Sequence, residues 1–200
     1  MSIPGRSVTF SSAIAVTAIT NTNPCVVTTD GTGSLQTGDK VLVQNSTGML
    51  QISPLLFQIT VTGPSTFTLN GLDASSFAAP ATGGNVRKLI VPPYWQPQSY
   101  YVIDITRSPR AVVTLSQDHN YQVGQVVYLR VGKQFGMHQA DGATCSILSV
   151  TPNTMTLDLD TSTFNEFAFP ASDDGPFDFP NLGNFGTRSS LVLNPYNNTL

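Results

Sequence analysis

The stretch that decides the fold is Thr37–Val43, which reads T-G-D-K-V-L-V. A Gly-Asp turn leads directly into a run of apolar and β-branched residues, which is typical of a strand that leaves a tight turn. The same pattern returns at Val123–Val131 as V-G-Q-V-V-Y-L-R-V. This recurrence predicts two versions of one small β unit.

The sequence on both sides of these stretches repeats in the same order. N-P-C-V-V-T at Asn23–Thr28 corresponds to S-P-R-A-V-V-T at Ser108–Thr114, and T-F-T-L at Thr66–Leu69 corresponds to T-M-T-L at Thr154–Leu157. The offset is about 86 residues and grows by about two across the loop that contains Gly48-Met49, as a short insertion there would produce. Ordered repetition of one supersecondary unit indicates a duplicated β module.

Period-two alternation and closely spaced turn residues predict an all-β chain. We expect two tandem small β-barrel-like or sandwich-like modules with extended N- and C-terminal arms. The expected boundaries are an N-terminal arm at 1–12, module 1 at 13–91, a joint rich in proline and aromatic residues at 92–100, module 2 at 101–170, and an extended C-terminal arm at 171–200. Prolines in the joint remove backbone donors and favour an extended connection.

Charge is scarce along the chain. Charged residues make up 10% of the 200 residues, and the net charge is −3. Soluble domains usually carry roughly 25%, so the composition suits a surface that ends up against other subunits. No Lys/Arg cluster could displace counterions from phosphates, and we expect no nucleic-acid binding.

The sequence also gives an expectation about the compartment. No stretch reaches the ~20 apolar residues of a spanning helix, and we expect no membrane insertion. The N-terminus lacks the basic and then apolar build of a signal peptide. We therefore expect the chain to be made in a cytoplasm and kept there until it is assembled.

The cysteines and histidines do not form a recognisable site. Cys25 and Cys145 fall at different places in the repeat, so we expect two buried free thiols. His119 and His138 offer no metal-ligand spacing, and neither has an orienting partner for a catalytic triad. We expect no catalytic residue, no metal site and no cofactor.

Carboxylates toward the C-terminal end leave an enzymatic alternative open: Asp158, Asp160, Glu166, Asp173, Asp174 and Asp178. Paired acids hydrolyse glycosides, and Asp158 and Asp160 are two apart on a predicted strand, so they would share a face. The same T-L-D-L-D-T sequence is typical of a solvated strand face. No loop has the EF-hand spacing for calcium. We therefore predict that the protein is not an enzyme.

Aromatic residues concentrate at the joint and in the C-terminal segment. Tyr and Trp anchor interfaces, and exposed Phe is costly. The interface candidates are Tyr94, Trp95, Tyr100, Tyr101, Phe177, Phe179 and Phe185. An alternative for the tyrosines and the tryptophan is packing at the seam between the modules. We expect the segment after Phe169 to be extended and to dock on this subunit or on the next, and Ser189–Asn194 is suited to adding a strand to an exposed edge.

The pattern P-x-V-V-T…G-D-x-V-x-V…G-M…V-T…T-F-T-L…D-x-S-x-F resembles the small β modules of bacteriophage tail and other virion proteins. Such modules are often labelled as similar to the first catalytic-cysteine half-domain of ubiquitin-activating enzymes. That label marks a shared barrel-like shape, and no ubiquitin chemistry is carried over. The resemblance covers roughly Ala13–Lys88 and Ile103–Pro170. Copy 2 departs from it at Gln125, which replaces the Asp, and at Met155, which replaces the Phe.

The resemblance implies a structural protein of the virion, in the tail or in a tail-proximal ring, as an adaptor, nozzle or fibre-attachment protein. Such a protein is made in the host cytoplasm. Its partners would be portal, tail or fibre proteins and further copies of itself in a cyclic homo-oligomer, whose heterologous interfaces close on themselves. Two alternatives stay open. One is a capsid decoration, receptor-binding or glycan-binding virion protein that uses loop aromatics such as Tyr121 and Phe135. The other is a tail-associated glycan hydrolase.

Overall fold

The computed structural model describes residues 9–90, 99–172 and 175–184. These residues are all-β and form two closed six-stranded antiparallel barrels. The prediction of two tandem small β-barrel modules is confirmed. The chain divides into two compact units, one made of Met1–Gln96 with Ala171–Gly175 and the other of Pro97–Pro170 with Pro176–Leu200.

The first unit contains seven strands, of which the last six form the barrel: β1 (Thr9–Phe10), β2 (Ile14–Ile19), β3 (Val26–Thr29), β4 (Lys40–Gln44), β5 (Leu56–Val61), β6 (Thr66–Leu69) and β7 (Asn85–Ile90). The order around the wall is β7-β2-β3-β6-β5-β4, and β4 pairs back onto β7. β1 and β2 pair with the two ends of β7, on either side of a break at residues 11–13. A 3-10 turn, η1 (Leu50–Ile52), lies between β4 and β5.

The second barrel contains six strands: β8 (Ser99–Ile105), β9 (Val112–Leu115), β10 (Val126–Arg130), β11 (Thr144–Val150), β12 (Thr154–Leu157) and β13 (Asn181–Asn184). Its order is β10-β11-β12-β9-β8-β13, closed by pairing of β13 with β10. The 3-10 turns η2 (Lys133–Phe135) and η3 (His138–Ala140) lie between β10 and β11. Strands β8–β13 therefore take the places that β2–β7 hold in the first barrel.

The two barrels repeat individual hydrogen bonds as well as strand order. Thr20 Oγ1 accepts from Val26 N at 2.9 Å, and Thr106 Oγ1 accepts from Val112 N at the same distance. β2 and β8 each carry a register irregularity against the following strand. The duplication thus extends to local backbone geometry.

The turn before β4 explains why Gln125 can replace an aspartate in the second copy. Asp39 Oδ2 accepts from Gln36 N at 2.9 Å, and Gln125 Oε1 accepts from Gln122 N at 2.8 Å. The longer amide therefore makes the same turn-closing hydrogen bond. Asp39 also forms an ion pair with Lys88 Nζ at 2.7 Å, an interaction that the neutral Gln125 cannot make.

Each barrel is filled by the inward-pointing side chains of its strands, in which successive residues face opposite sides of the sheet. The core of the first includes Val27, Val41, Val43, Phe57, Ile59, Phe67 and Leu69, and the core of the second includes Val113, Leu115, Val127, Leu129, Ile147, Met155 and Leu157. Burial of one such side chain contributes about 1.5–3 kcal/mol. Met155, which corresponds to Phe67 of the first barrel, is 1% exposed, and Phe67 is 0% exposed. The flexible methionine therefore fills the space that the phenylalanine ring fills in the first barrel.

The closing strand of the second barrel lies beyond the boundary expected from the sequence. That boundary ended module 2 at residue 170 and placed 171–200 in an arm, whereas β13 is hydrogen-bonded to β10 on one edge and β8 on the other. The reason is that N-L-G-N lacks the β-branched alternation of a typical strand. It also follows Phe164 by a longer connection than the one between Phe77 and β7.

The connection from β12 to β13 includes Ala171–Gly175, which belong to the first unit. Ala171 O accepts from Ala78 N at 2.9 Å and from Gln51 Nε2 at 3.2 Å. At the other end of the chain, Thr9–Phe10 of the expected N-terminal arm pair with β7, while residues 1–8 lie outside the described residues. Residues 91–98, which include most of the expected joint, also lie outside them.

Cys25 and Cys145 are buried free thiols, as expected from the sequence. Cys25 lies at the start of β3, where its Sγ donates to Thr20 O at 3.3 Å. Burial raises the pKa of the Cys25 thiol to about 12. For Cys145, burial and then the negative charge of Asp158 raise the pKa to about 11.

These thiols predict a loss of stability in alkali. Their pKa values are higher in the folded chain than the value of 9.0 for a free thiol. Their contribution to stability is therefore complete below pH 9 and is lost as the pH rises through the folded values. We expect the urea midpoint to be level from pH 7 to 9 and to fall steadily to pH 11. Cys25→Ser should make the urea midpoint fall less steeply with pH between pH 9 and 11. An equally steep fall in that variant would contradict the assignment to Cys25.

Candidate interaction surface

The interface candidates that the structure describes are turned into the second unit. Tyr100 is 3% exposed and Tyr101 is 7% exposed. Phe177 and Phe179 are half-buried. The other three candidates lie outside the described residues: Tyr94, Trp95 and Phe185.

Phe177 and Phe179 belong to a phenylalanine cluster around Phe135. We define this cluster as Phe135, Phe167, Phe169, Phe177 and Phe179. The ring of Phe135 lies 5.3–6.4 Å from the other four, centroid to centroid. Such aromatic pairs contribute about 0.5–1.5 kcal/mol each beyond their burial. Of the two alternatives for this segment, the phenylalanines at 177 and 179 take the first, docking on their own subunit.

Two glycines let the backbone approach closely enough to form this cluster. Gly136 has φ +80°, and a Cβ at this position would collide with the carbonyl oxygen of Glu166. A Cβ on Gly132 would collide with the carbonyl oxygen of Asp178. The loop between β10 and β11 therefore fits against both ends of the long connection only because neither residue has a side chain.

Tyr100 sits in a second, polar cluster. Its hydroxyl donates to Asn120 Oδ1 at 3.1 Å, and its ring packs against His119 and Tyr121 with centroids 6.4 and 5.5 Å away. His119 Nδ1 accepts from Tyr121 N at 3.1 Å, so the neutral ring carries its proton on Nε2, which donates to Thr154 O. Both ring nitrogens thus hold the loop before β10 in place.

Asp158 and Asp160, the two acids of the enzymatic alternative, make separate hydrogen bonds. β12 ends at Leu157, so the prediction that Asp158 and Asp160 share a strand face is wrong. Asp158 Oδ1 accepts from Ser146 N, whereas Asp160 Oδ1 accepts from Ser162 N at 2.9 Å and from Ser162 Oγ at 2.6 Å. The hydrogen bonds from Ser162 lower the pKa of Asp160. Asp158 is thus bound to the backbone of β11, and Asp160 to a residue two positions further along the chain.

The aromatics expected to grip a glycan are also buried. Tyr121 is 7% exposed and Phe135 is 0% exposed, and both pack against other rings. Within 9–90, 99–172 and 175–184, no three His, Cys, Asp or Glu side chains lie close enough to hold a metal ion. Among the same residues, no helix is long and apolar enough to cross a membrane.

An apolar surface that sequence reasoning missed lies on the outer wall of the second barrel. Along β10, Val127 and Leu129 are fully buried in the core, while Val126 is 40% exposed and Tyr128 is 36% exposed. Successive strand residues face opposite sides of a sheet, so Val126 and Tyr128 point outward together.

The surface continues on both sides of these two residues. Val123, in the turn before β10, is 62% exposed. Ser146 is the cross-strand neighbour of Val126, and Leu148, two residues further along β11, is 38% exposed. We call Val123, Val126, Tyr128 and Leu148 the β10–β11 face.

A sequence difference between the two copies could have located this face. The second copy has Gln125-Val126 where the first has Asp39-Lys40, so both charges at the start of the strand are replaced by uncharged residues. In the first barrel Lys40 is half-buried and Leu42, which corresponds to Tyr128, is 3% exposed. The exposed apolar pair therefore belongs to the second barrel.

The fold and this face define a class of protein: a chain of two tandem small β-barrels with an exposed apolar face on the second. No protein-family model matches the chain, and no curated protein matches it.

Proposed function

We propose that this chain is a structural component of a bacteriophage virion, in the tail or in a tail-proximal ring, and that it acts through subunit–subunit contacts. The observation that carries this proposal is the β10–β11 face. Contiguous exposed apolar residues of this kind mark interaction sites. Each Å² of apolar surface buried by a partner contributes roughly 25 cal/mol, and the face itself carries no charge that would have to be desolvated.

Three further observations support the proposal. The charged fraction of 10% suits a protein with much of its surface in contacts. Asp158 and Asp160, the acids of the enzymatic alternative, each accept a hydrogen bond from a backbone N–H. The sequence pattern of the two modules resembles phage tail modules, which gives the class of partner: further copies in a cyclic ring, and portal, tail or fibre proteins.

The test is rebinding to virus particles assembled without this chain. We expect a fixed number of copies to bind at one vertex, counted by mass photometry and located by electron microscopy. Val126→Asp with Tyr128→Asp should reduce rebinding at least about tenfold, because a loss of ~1.4 kcal/mol is sufficient for that change.

Leu50→Asp is the matched control for this test, because Leu50 is also 40% exposed but lies in η1 of the first barrel. It should rebind like the unmodified chain. Uniform coating of the shell would favour a decoration protein, and binding to host polysaccharide in place of particles would favour a receptor-binding one. Either result would overturn the proposed function.

A further inference from the structure

β13 ends beside the β10–β11 face. Asn184, its last residue, is the pairing partner of Val127, which lies between Val126 and Tyr128. Because β13 is antiparallel to β10, the chain that leaves Asn184 is directed toward the Val123 end of β10. Sixteen further residues follow, at 185–200.

The sequence of these sixteen residues suits an uncharged apolar face. They include the apolar run Leu191–Leu193, flanked by Ser189-Ser190 and Asn194. Their only charged side chain is that of Arg188. Contact between this run and the β10–β11 face would bury apolar surface on both sides, and none of the four side chains of the face carries a charge.

The apolar run is tethered within reach of the face. From Asn184 to Leu191, a flexible chain spans about 15 Å on average, and a fully extended one spans about 23 Å. The face occupies two neighbouring strands that lie about 4.8 Å apart. A short tether of this kind gives an effective concentration in the millimolar range. A second copy at micromolar concentration would compete poorly with it.

Pairing within the second barrel restricts how this run can bind. β10 is hydrogen-bonded to β11 on one edge and to β13 on the other. The sequence suits Ser189–Asn194 to adding a strand to an exposed edge, but β10 offers no free edge for this. Contact must therefore be made by side chains lying on the outer wall.

We propose that Leu191–Leu193 covers the β10–β11 face of its own chain in the free subunit, and that a neighbouring subunit displaces it on assembly. The displacement step rests on the proposed function, whereas docking in the free subunit does not. The segment thereby keeps the assembly surface covered until a partner subunit is present.

A disulfide test addresses docking directly. We would introduce Val126→Cys and Val192→Cys into the full-length chain and oxidise it with glutathione disulfide at low micromolar concentration. The expected product is an intrachain disulfide at monomer mass, at least tenfold more abundant than in a chain with Leu50→Cys and Val192→Cys. Interchain dimers would assign the face to a second copy, and a yield equal to the control would leave the segment undocked. Either result overturns the proposal.

Truncation after Gly186 provides the second measurement, because it keeps β13 and removes the apolar run. Fluorescence of a dye that binds exposed apolar surface should rise severalfold, and Val126→Asp with Tyr128→Asp should abolish the rise. No rise would overturn the proposal. If the disulfide forms and the dye signal rises while particles fail to rebind the chain, docking stands and the proposed function fails.

Discussion

Gly136→Ala is expected to destabilise the second unit by about 4 kcal/mol. The backbone at Gly136 has φ +80° and ψ −72°, a conformation that costs an L residue about 1–3 kcal/mol. The new Cβ would also collide with the carbonyl oxygen of Glu166, a backbone atom that cannot move aside as a side chain can. Relief of such a collision costs about 1–3 kcal/mol more. The measurement is the urea midpoint of unfolding.

Gly124→Ala is the control that separates the two contributions. Gly124 has φ +85°, close to that of Gly136, but a Cβ there would meet nothing within 4 Å. We expect it to cost only about 1–2 kcal/mol, the penalty of the left-handed backbone alone. Gly83→Ala, where φ is not positive and the nearest atom would be 3.6 Å away, should be nearly neutral. Equal losses at residues 136 and 124 would contradict the role assigned to the collision.

Truncation after Gly175 is expected to unfold the second barrel and leave the first folded. It removes β13, which separates β8 from β10, and it removes Phe177 and Phe179 from the phenylalanine cluster. It also removes Leu182, which is fully buried. The chain would keep Ala171–Gly175, which belongs to the first unit.

Calorimetry measures this loss. A folded unit of roughly 100 residues absorbs about 60–80 kcal/mol on melting, so the total enthalpy should fall by about that amount. The chain truncated after Gly186 is the matched control, because it retains every described residue and should melt with nearly the full enthalpy. Equal enthalpies in the two truncated chains would show that β13 is not needed for the second barrel.

Much of the fold was predictable because the duplication repeats strand patterns that are readable by themselves. β6 and β12 are T-F-T-L and T-M-T-L, and both bury every second residue. β13 was not predictable in this way. A four-residue strand with a single buried leucine carries almost no periodic signal, and the barrel's need for a sixth strand becomes visible only after the other five are paired.

The candidate site was less predictable, since a sequence does not show what covers an aromatic side chain. Phe135 and Phe177 lie more than forty residues apart in the chain and meet only in the folded barrel. The sequence left open whether the segment with Phe177 docks on its own subunit or on the next, and it offered Phe135 as an aromatic for glycan binding. Val126 and Tyr128, by contrast, stand in a strand whose alternation was readable. They were missed because apolar residues on the outer side of a strand look like core residues when the opposite side is apolar too.

The position of β13 also sets the order of events during synthesis. The first barrel has all its strands once Ile90 has been made, but the second waits for Asn184. Translation at about 5–20 residues per second puts roughly 5–20 s between these two moments. During this interval β8 and β10 lack the strand that later separates them, although β12, the last of the other five strands, is complete at Leu157. The second barrel therefore completes its fold later than the first, and the delay is set by the connection that leads to β13.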